Sequence, residues 1–173
     1  LDTLSKNRNS FENKGLTLVV QDSDAVVKAD KALTLFMMNT LLDNARKYTP
    51  EGGEVGIRAE ETDEYVEISV TDTGRGLSQD DIRTICLEKV YDSNQIGDVE
   101  HDETLKKNKG FGFGLMNCKG IIDKYKKTNQ LFSVCTFNIE SELGKGSRFY
   151  FRLPKGVMKA LVICLMMLPA CIS

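Results

Sequence analysis

The order of the hydrophobic patterns constrains the fold most, because helical and strand-like segments do not alternate one by one along this chain. A helix is predicted from about Lys31 to Tyr48, and two alternating runs, residues 54–59 and 65–70, follow it as a hairpin. A second helix and a second hairpin come later in the chain. This order predicts an α+β protein, a two-layer sandwich, and argues against a parallel doubly wound sheet.

Capping residues mark where the predicted helices begin. Asp30 is a suitable N-cap for the first helix, and Ser78 is suitable for a short helix that begins at Gln79. The other predicted elements are a strand at residues 16–20, a helix at about 113–125 and strands at 131–139 and 147–153.

The first helix has an apolar stripe that predicts its buried face. The members of the stripe recur at the three- and four-residue spacing that places side chains on one side of a helix. They are Leu33, Phe36, Met37, Leu41 and Ala45. Pro50 and the glycines that follow it end the helix.

The composition fits one globular domain and disfavours two classes of function. Of the 173 residues, 41% are hydrophobic and 28% are charged, and the net charge of −2 gives no basis for nucleic-acid binding. The five cysteines form no CxxC pair and the chain has one histidine, so we expect no zinc cluster. Reduced thiols in a reducing compartment are expected.

The two ends of the chain differ from its middle. Residues 1–15 are polar and are predicted to lead in from an upstream domain, since the chain begins without methionine or a signal peptide. Residues 155–173 form a hydrophobic tail, whose apolar run is shorter than the roughly 20 residues of a membrane span. We expect this tail either to pack as a terminal helix or to begin a truncated transmembrane helix. Residues 16–154 form the domain proper.

A polar group lies on the last turns of the first helix. Asn44, Lys47 and Tyr48 stand at i, i+3 and i+4 and therefore share one face. An amide oxygen suits Mg²⁺, a lysine can meet phosphate, and a tyrosine can pack beside a base or sugar. The alternative is a polar helix face that binds no ligand.

A glycine-rich turn, DTGRGL, follows the second strand of the first hairpin. Asp72 can accept from an exocyclic amine such as that of adenine, and Gly74 and Gly76 let the backbone approach a flat ring. The alternative is a tight turn held by the aspartate side chain.

Two further glycine segments follow. Residues 110–115, GFGFGL, open the second helix, and a helix N-terminus favours phosphate, although the same glycines can serve as a hinge. Residues 144–147, GKGS, can be a simple hairpin turn.

Taken in order, these segments resemble the asparagine box and the three glycine boxes of the histidine-kinase ATPase family. The segments are LLDNARKYTPEGG, DTGRGL, KGFGFGL and SELGKGSRFYFRLP, and the resemblance covers about residues 16–154. It implies a Bergerat-type ATP site, in which a mixed, mostly antiparallel sheet has helices on one face. It also implies ATP and Mg²⁺ as ligands.

The resemblance assigns roles to residues of this chain. Asn44 is similar to the magnesium-binding asparagine, Lys47 to a phosphate-contacting lysine and Tyr48 to the aromatic residue beside the nucleotide. Asp72 is similar to the adenine-binding aspartate, with Ser147 near it. Gly74 and Gly76 line the adenine pocket. The implied hinge and phosphate-contacting helix start are Gly110, Gly112, Phe113, Gly114 and Leu115. The implied lid cations are Lys106, Lys107 and Lys109.

Two departures from the family pattern bear on mechanism. Thr40 stands where the family has a second asparagine, and Asn39 cannot replace it, because five residues turn a helix by about 500° and place it about 140° from Asn44. The phenylalanine-rich box is weak at residues 87–93, LEKVYDS. Threonine is a poor general base and would activate water poorly. Phosphoryl transfer is therefore favoured over rapid hydrolysis.

The implied function is the catalytic module of a two-component sensor histidine kinase. It would donate the γ-phosphate of Mg-ATP to a histidine on a separate dimerisation domain, with a response-regulator receiver downstream. His101 lies in the implied lid and lacks the setting of an acceptor, so we expect no autophosphorylation of the isolated fragment. The alternatives are an anti-sigma type serine/threonine kinase and a degenerate nucleotide-sensing module. The implied location is a cytoplasmic domain of a membrane-associated sensor, attached to the membrane through its parent protein.

Overall fold

The structure, a computed structural model, describes residues 2–87 and 113–156. The predicted lid, with His101 and the lysines from Lys106 to Lys109, lies outside the described residues, as do Gly110, Gly112 and the segment 157–173. No helix in the two described ranges is both long enough and apolar enough to cross a membrane.

Five strands form one mixed sheet. They are β1 (Thr17–Val20), β2 (Glu54–Glu61), β3 (Tyr65–Asp72), β4 (Thr136–Glu142) and β5 (Gly146–Pro154). The spatial order is β1-β2-β3-β5-β4, and only the β1–β2 pair is parallel. The two predicted hairpins are therefore confirmed as β2–β3 and β4–β5.

The helices pack on one face of this sheet. They are α1 (Asp2–Asn13), α2 (Lys31–Tyr48), α3 (Gln79–Leu87), α4 (Phe113–Thr128) and a 3₁₀ helix (Gln130–Val134). Alternate strand residues such as Val70 and Phe151 join Leu41 of α2 and Leu115 of α4 in a single buried cluster. The opposite face carries polar side chains, including Glu67, which is paired with two arginines of β5. The predicted α+β sandwich is confirmed.

Side-chain caps fix the starts of two helices as the sequence predicts. The Asp30 carboxylate accepts the Leu33 backbone N–H at 2.8 Å, and α2 begins at the next residue. The Ser78 hydroxyl accepts the Asp81 backbone N–H at 3.1 Å, while the Asp81 carboxylate accepts the Ser78 backbone N–H at 3.3 Å. Each bond satisfies an N–H group that the helix itself leaves without a partner.

The predicted buried stripe of α2 is wrong at two positions. Leu33 and Phe36 are 37% and 42% exposed, whereas Met37, Leu41 and Ala45 are fully buried, as is Leu42. Phe36 lies about 140° around the helix from Leu41, and Leu33 about 80°, at the margin of the buried arc.

The strand predicted at 131–139 is wrong in its first half. Residues 131–134 belong to the 3₁₀ helix, because the Asn129 side chain caps it by accepting the Leu131 N–H at 2.9 Å. Phe132 then stacks on Tyr125 of α4 at 4.8 Å between ring centroids. The segment predicted as a lead-in, residues 1–15, contains α1, whose Phe11 is 1% exposed in the core.

The turn after β3 packs closely against the turn between β4 and β5. Gly76 has a φ of +72°, and a methyl group added there would lie 2.1 Å from the Glu142 carbonyl oxygen. In the facing turn, the Gly144 N–H donates to the Arg75 carbonyl at 2.7 Å. Only glycine at position 76 meets both the backbone conformation and the spacing.

Replacement of these glycines separates conformational strain from steric conflict. Gly144 also has a positive φ, of +81°, but a methyl group there meets nothing within 4 Å. We expect Gly144→Ala to lower the free energy of unfolding by about 1–2 kcal/mol through strain alone. Gly76→Ala should cost a further ~1–3 kcal/mol, because backbone must move to relieve the overlap. Urea unfolding measures both values, and equal losses would contradict the proposed contact.

Candidate functional site

The end of α2 presents the polar face that the sequence predicts. Asn44 and Tyr48 are half-buried and Lys47 is exposed. Among residues 2–87 and 113–156, the side-chain amide of Asn44 has no hydrogen-bond partner. The Lys47 ammonium lies 5.2 Å from the centroid of the Tyr48 ring, a cation–π contact. This face therefore offers a neutral amide oxygen and a cation, side by side.

Asp72 ends β3 as a buried carboxylate. It is 9% exposed, and its Oδ1 accepts the Gly74 backbone N–H at 2.8 Å. Burial raises the pKa of the Asp72 carboxyl above its ordinary value, although hydrogen bonds from the backbone N–H groups of Gly74 and Ser147 oppose that shift. A carboxylate has about four lone-pair sites, so it can still accept from a ligand amine.

Gly74 brings Asp72 and the end of α2 together. A methyl group at this position would lie 2.7 Å from the Tyr48 carbonyl oxygen and 2.8 Å from Asp72 Oδ1. Both distances are too short for a real Cβ atom. Glycine thus allows the Asp72 turn to lie directly against the helix that carries Asn44.

Ser147 lies beside Asp72 and belongs to a hydroxyl network. The two residues are direct partners in the β3–β5 register. The Ser147 hydroxyl donates to Ser141 Oγ at 2.8 Å, because Ser141 donates its own proton to the Gly146 carbonyl and accepts the Leu77 N–H. Sequence reasoning missed Ser141; the register of the β4–β5 hairpin, which pairs Ser141 with Ser147, is the signal that could have found it.

The start of α4 packs against α2 one turn before Asn44. A methyl group at Gly114 would lie 2.8 Å from Thr40 Cγ2, so glycine permits the close approach. Burial raises the pKa of the Cys118 thiol to about 12, and the nearby Thr40 side chain opposes that shift. Leu115 is fully buried and belongs to the core, which leaves its backbone as the part that could meet a ligand. Phe113 is the first residue of α4.

Thr40 and Asn39 point to different sides of α2, as the first departure from the family pattern predicts. The Asn39 side chain accepts from Asn7 of α1 at 3.4 Å, on the side of α2 away from α4. Thr40 faces α4 instead, where its Cγ2 lies close to Gly114. Asn39 therefore does not stand in for the missing asparagine.

Arg75 is a charged residue beside the candidate site, and sequence reasoning gave it no role. It lies in the glycine turn, and its guanidinium carbon is 5.2 Å from the centroid of the Tyr48 ring. The sequence signal for Arg75 was a cation placed between the two glycines of DTGRGL. Arg75 and Lys47 thus lie near the same aromatic ring.

The structure brings together Asp72, Gly74, Ser147 and the last turns of α2, with Gly114 adjoining them through Thr40. Lys107, Lys109, Gly110 and Gly112 lie outside the described residues. The Asp72 turn therefore lies against the end of α2, so a buried carboxylate acceptor adjoins the helix end that carries the Asn44 amide and the Lys47 cation.

Comparison with known proteins assigns this arrangement to a family. Residues 29–157 match the family described as histidine kinase-, DNA gyrase B- and HSP90-like ATPase. The adaptive-response sensory kinase SasA of Rippkaea orientalis is 31% identical over 156 residues, which cover 88% of this chain and 35% of that protein. The sensor protein SrrB of Staphylococcus aureus is 32% identical over 119 residues, 69% of this chain and 18% of that protein. The chain thus spans about a third of the length of SasA.

Solved structures share the fold. The catalytic domain of histidine kinase ThkA has a TM-score of 0.65 at 19% identity, with 89% of each chain covered. The mycobacterial sensor histidine kinase MprB has a TM-score of 0.64 at 20% identity, covering 91% of this chain and 95% of that one. The chain therefore belongs to the histidine kinase-, DNA gyrase B- and HSP90-like ATPase family.

Proposed function

We propose that this chain holds Mg-ATP and donates the γ-phosphate to a histidine on a separate dimerisation domain of its parent protein. The observation that carries the proposal is the juxtaposition of the buried Asp72 carboxylate with the Asn44 face of α2, made possible by the contact of Gly74 with Tyr48. An adenine amine and a triphosphate need these two kinds of group within one cleft.

Asp72 is suited to select adenine. A buried carboxylate that accepts from an amine gains more than an exposed one, because no water competes for its lone pairs. The backbone N–H groups of Gly74 and Ser147 fix the orientation of the carboxylate. A base that offers a carbonyl in place of the amine would place its carbonyl oxygen against the Asp72 carboxylate. Both groups are acceptors, so such a base would bind poorly.

The donor set around Asn44 fits Mg²⁺. Its amide oxygen is a hard neutral ligand, and Mg²⁺ commonly keeps several waters and bridges to substrate phosphates, so one protein oxygen suffices. When bound, the ion would neutralise charge on the phosphate oxygens. Lys47, on the same face, would hold a phosphate as a point charge.

Thr40 supports transfer rather than hydrolysis. A threonine at this position is a poor base for activating water. The protein would then position the phosphate for transfer to an acceptor on another domain.

The named relatives support the proposed partners. SasA and SrrB are a sensory kinase and a sensor protein, and ThkA has been crystallised with the response regulator TrrA. We infer a histidine-bearing dimerisation domain as the direct partner and a response-regulator receiver downstream, with no nucleic-acid partner. A cytoplasmic location and membrane attachment through the parent protein belong to the same proposal.

Removal of the Asn44 amide should weaken the magnesium-dependent part of ATP binding. We expect Asn44→Ala to bind ATP about tenfold more weakly with Mg²⁺ present, the scale of losing one interaction with a charged group, and about equally without it. Asn39→Ala is the matched control, because Asn39 lies on the same helix and contacts α1 instead. Isothermal titration with and without Mg²⁺ measures the difference. A similar loss in both variants would argue against Asn44 as the ligand.

Transfer is tested with γ-labelled ATP. The chain alone should retain no acid-labile label, His101 included, whereas added dimerisation domain of the parent protein should become labelled at its histidine. Acid-stable label on serine or threonine would support the anti-sigma type of kinase instead. Nucleotide binding without any transfer would indicate a sensing module, and either result would overturn the proposal.

A further inference from the structure

We propose that Lys14 is a positioning residue of the nucleotide site, which holds the last turn of α2 in the geometry that Mg-ATP needs. The inference rests on the proposed function and deepens it, because it gives a role to a residue outside the groups proposed to contact the nucleotide. It follows from the hydrogen bonds of the Lys14 ammonium and from the bonds that hold the neighbouring backbone.

The half-buried Lys14 caps the C-terminal end of α2. Its ammonium donates to the backbone carbonyl of Arg46 and, at 3.1 Å, to that of Lys47. Both carbonyls belong to the last four of the helix, which have no partner within the helix itself. A cation at this position also interacts favourably with the helix dipole. Lys14 thus satisfies two acceptors and places a positive charge where the helix favours one.

The other two terminal carbonyls of α2 are placed by the turns around them. The Ala45 carbonyl accepts the Thr49 N–H at 3.1 Å, and the Tyr48 carbonyl lies against the Gly74 turn. Each of the last four carbonyls therefore has a defined neighbour, and Lys14 supplies that neighbour for two of them.

The backbone that follows Lys14 is bonded to the turn that follows α2. The Gly15 carbonyl accepts the Gly52 N–H at 3.0 Å, and the Thr17 N–H donates to the Gly53 carbonyl at 3.0 Å. This segment therefore meets the end of α2 through backbone bonds as well as through one side chain. Because its backbone is anchored, the lysine loses less conformational entropy when its ammonium is held in one place.

The turn that Lys14 caps carries the groups proposed to hold the triphosphate. Lys47 provides both a capped carbonyl and the side chain proposed to meet phosphate, and Asn44 lies one turn earlier with the amide proposed for Mg²⁺. Without the cap, the carbonyls of Arg46 and Lys47 would depend on water, and the last turn would fray as helix ends do. Fraying would displace both groups from the Asp72 turn.

The test combines nucleotide affinity with a spectroscopic signature of the helix end. Lys14→Met removes the ammonium and keeps an unbranched side chain, whereas Lys14→Arg keeps the charge and the N–H donors. Lys127→Met is the matched control, since Lys127 is an exposed lysine in the last turn of another helix, α4. Titration calorimetry gives the dissociation constant of Mg-ATP. NMR of the isotopically labelled chain without nucleotide follows the side-chain amide of Asn44, whose signal is identified by its absence from Asn44→Ala.

We expect Lys14→Met to bind Mg-ATP about fivefold more weakly, the scale of losing a cation at a partly buried helix C-terminus. In the Asn44→Ala background the same change should cost only about twofold, because the amide that the cap positions is absent and the two effects are coupled. The Asn44 amide signal should shift in Lys14→Met and stay in place in Lys127→Met. Lys14→Arg and Lys127→Met should bind Mg-ATP nearly as the wild type does.

The outcomes separate this inference from the function on which it rests. Unchanged Mg-ATP binding in Lys14→Met would overturn the inference, as would an equal loss in the Asn44→Ala background or an Asn44 amide signal that does not move. These results leave the proposed function intact. A wild-type chain that binds no adenine nucleotide would overturn both. If Lys14→Met does not fold, Lys14→Gln, which keeps an N–H donor without the charge, takes its place in the same measurements.

Discussion

The packing of one glycine turn between a helix end and a hairpin turn organises this molecule. Gly74 lies against the Tyr48 carbonyl, and Gly76 lies against the Glu142 carbonyl, both at distances that exclude any side chain. Asp72 precedes this turn and is buried by it. If the turn moved outward by the width of a methyl group, the carboxylate would separate from α2 and from the Asn44 face of that helix.

Burial at Asp72 has a cost that the surrounding hydrogen bonds partly offset. Removing a carboxylate from water disfavours its ionised form, which is why its pKa is raised. The N–H groups of Gly74 and Ser147 return some of that stabilisation, and the Ser141–Ser147 hydroxyl pair fixes the adjacent strand. The carboxylate is thus held in place for a ligand amine that would complete its set of donors. Under the proposed function, folding and selection of the base would depend on the same contacts.

Local sequence signals predicted the parts of the fold that local forces determine. Asp30 and Ser78 cap their helices through bonds to residues three positions away, and the predicted bounds of α2 match the observed ones. The 3₁₀ helix at Gln130–Val134 was missed, because apolar residues there suit a strand equally well. Its conformation combines the local Asn129 cap with the stacking of Phe132 on Tyr125, which is a tertiary contact.

For the candidate site too, sequence motifs predicted some residues, whereas contacts that depend on packing were missed. Asp72, Gly74 and Asn44 were predicted from short motifs, since each motif carries the residue type and the spacing that its chemistry needs. Arg75 and Ser141 were missed, because their contacts arise from packing across elements. Arg75 lies over a tyrosine of α2, and Ser141 pairs with Ser147 across a hairpin. Periodicity alone could not show how wide the buried arc of α2 is.

The central claim is that one cleft binds adenine through a buried carboxylate and the triphosphate through the face of α2. A crystal structure of the chain with Mg²⁺ and a non-hydrolysable ATP analogue tests it most directly. The account predicts the adenine amine within hydrogen-bond distance of Asp72, and the phosphates beside Asn44 and the start of α4. A nucleotide bound elsewhere, or oriented with its base away from Asp72, would contradict it.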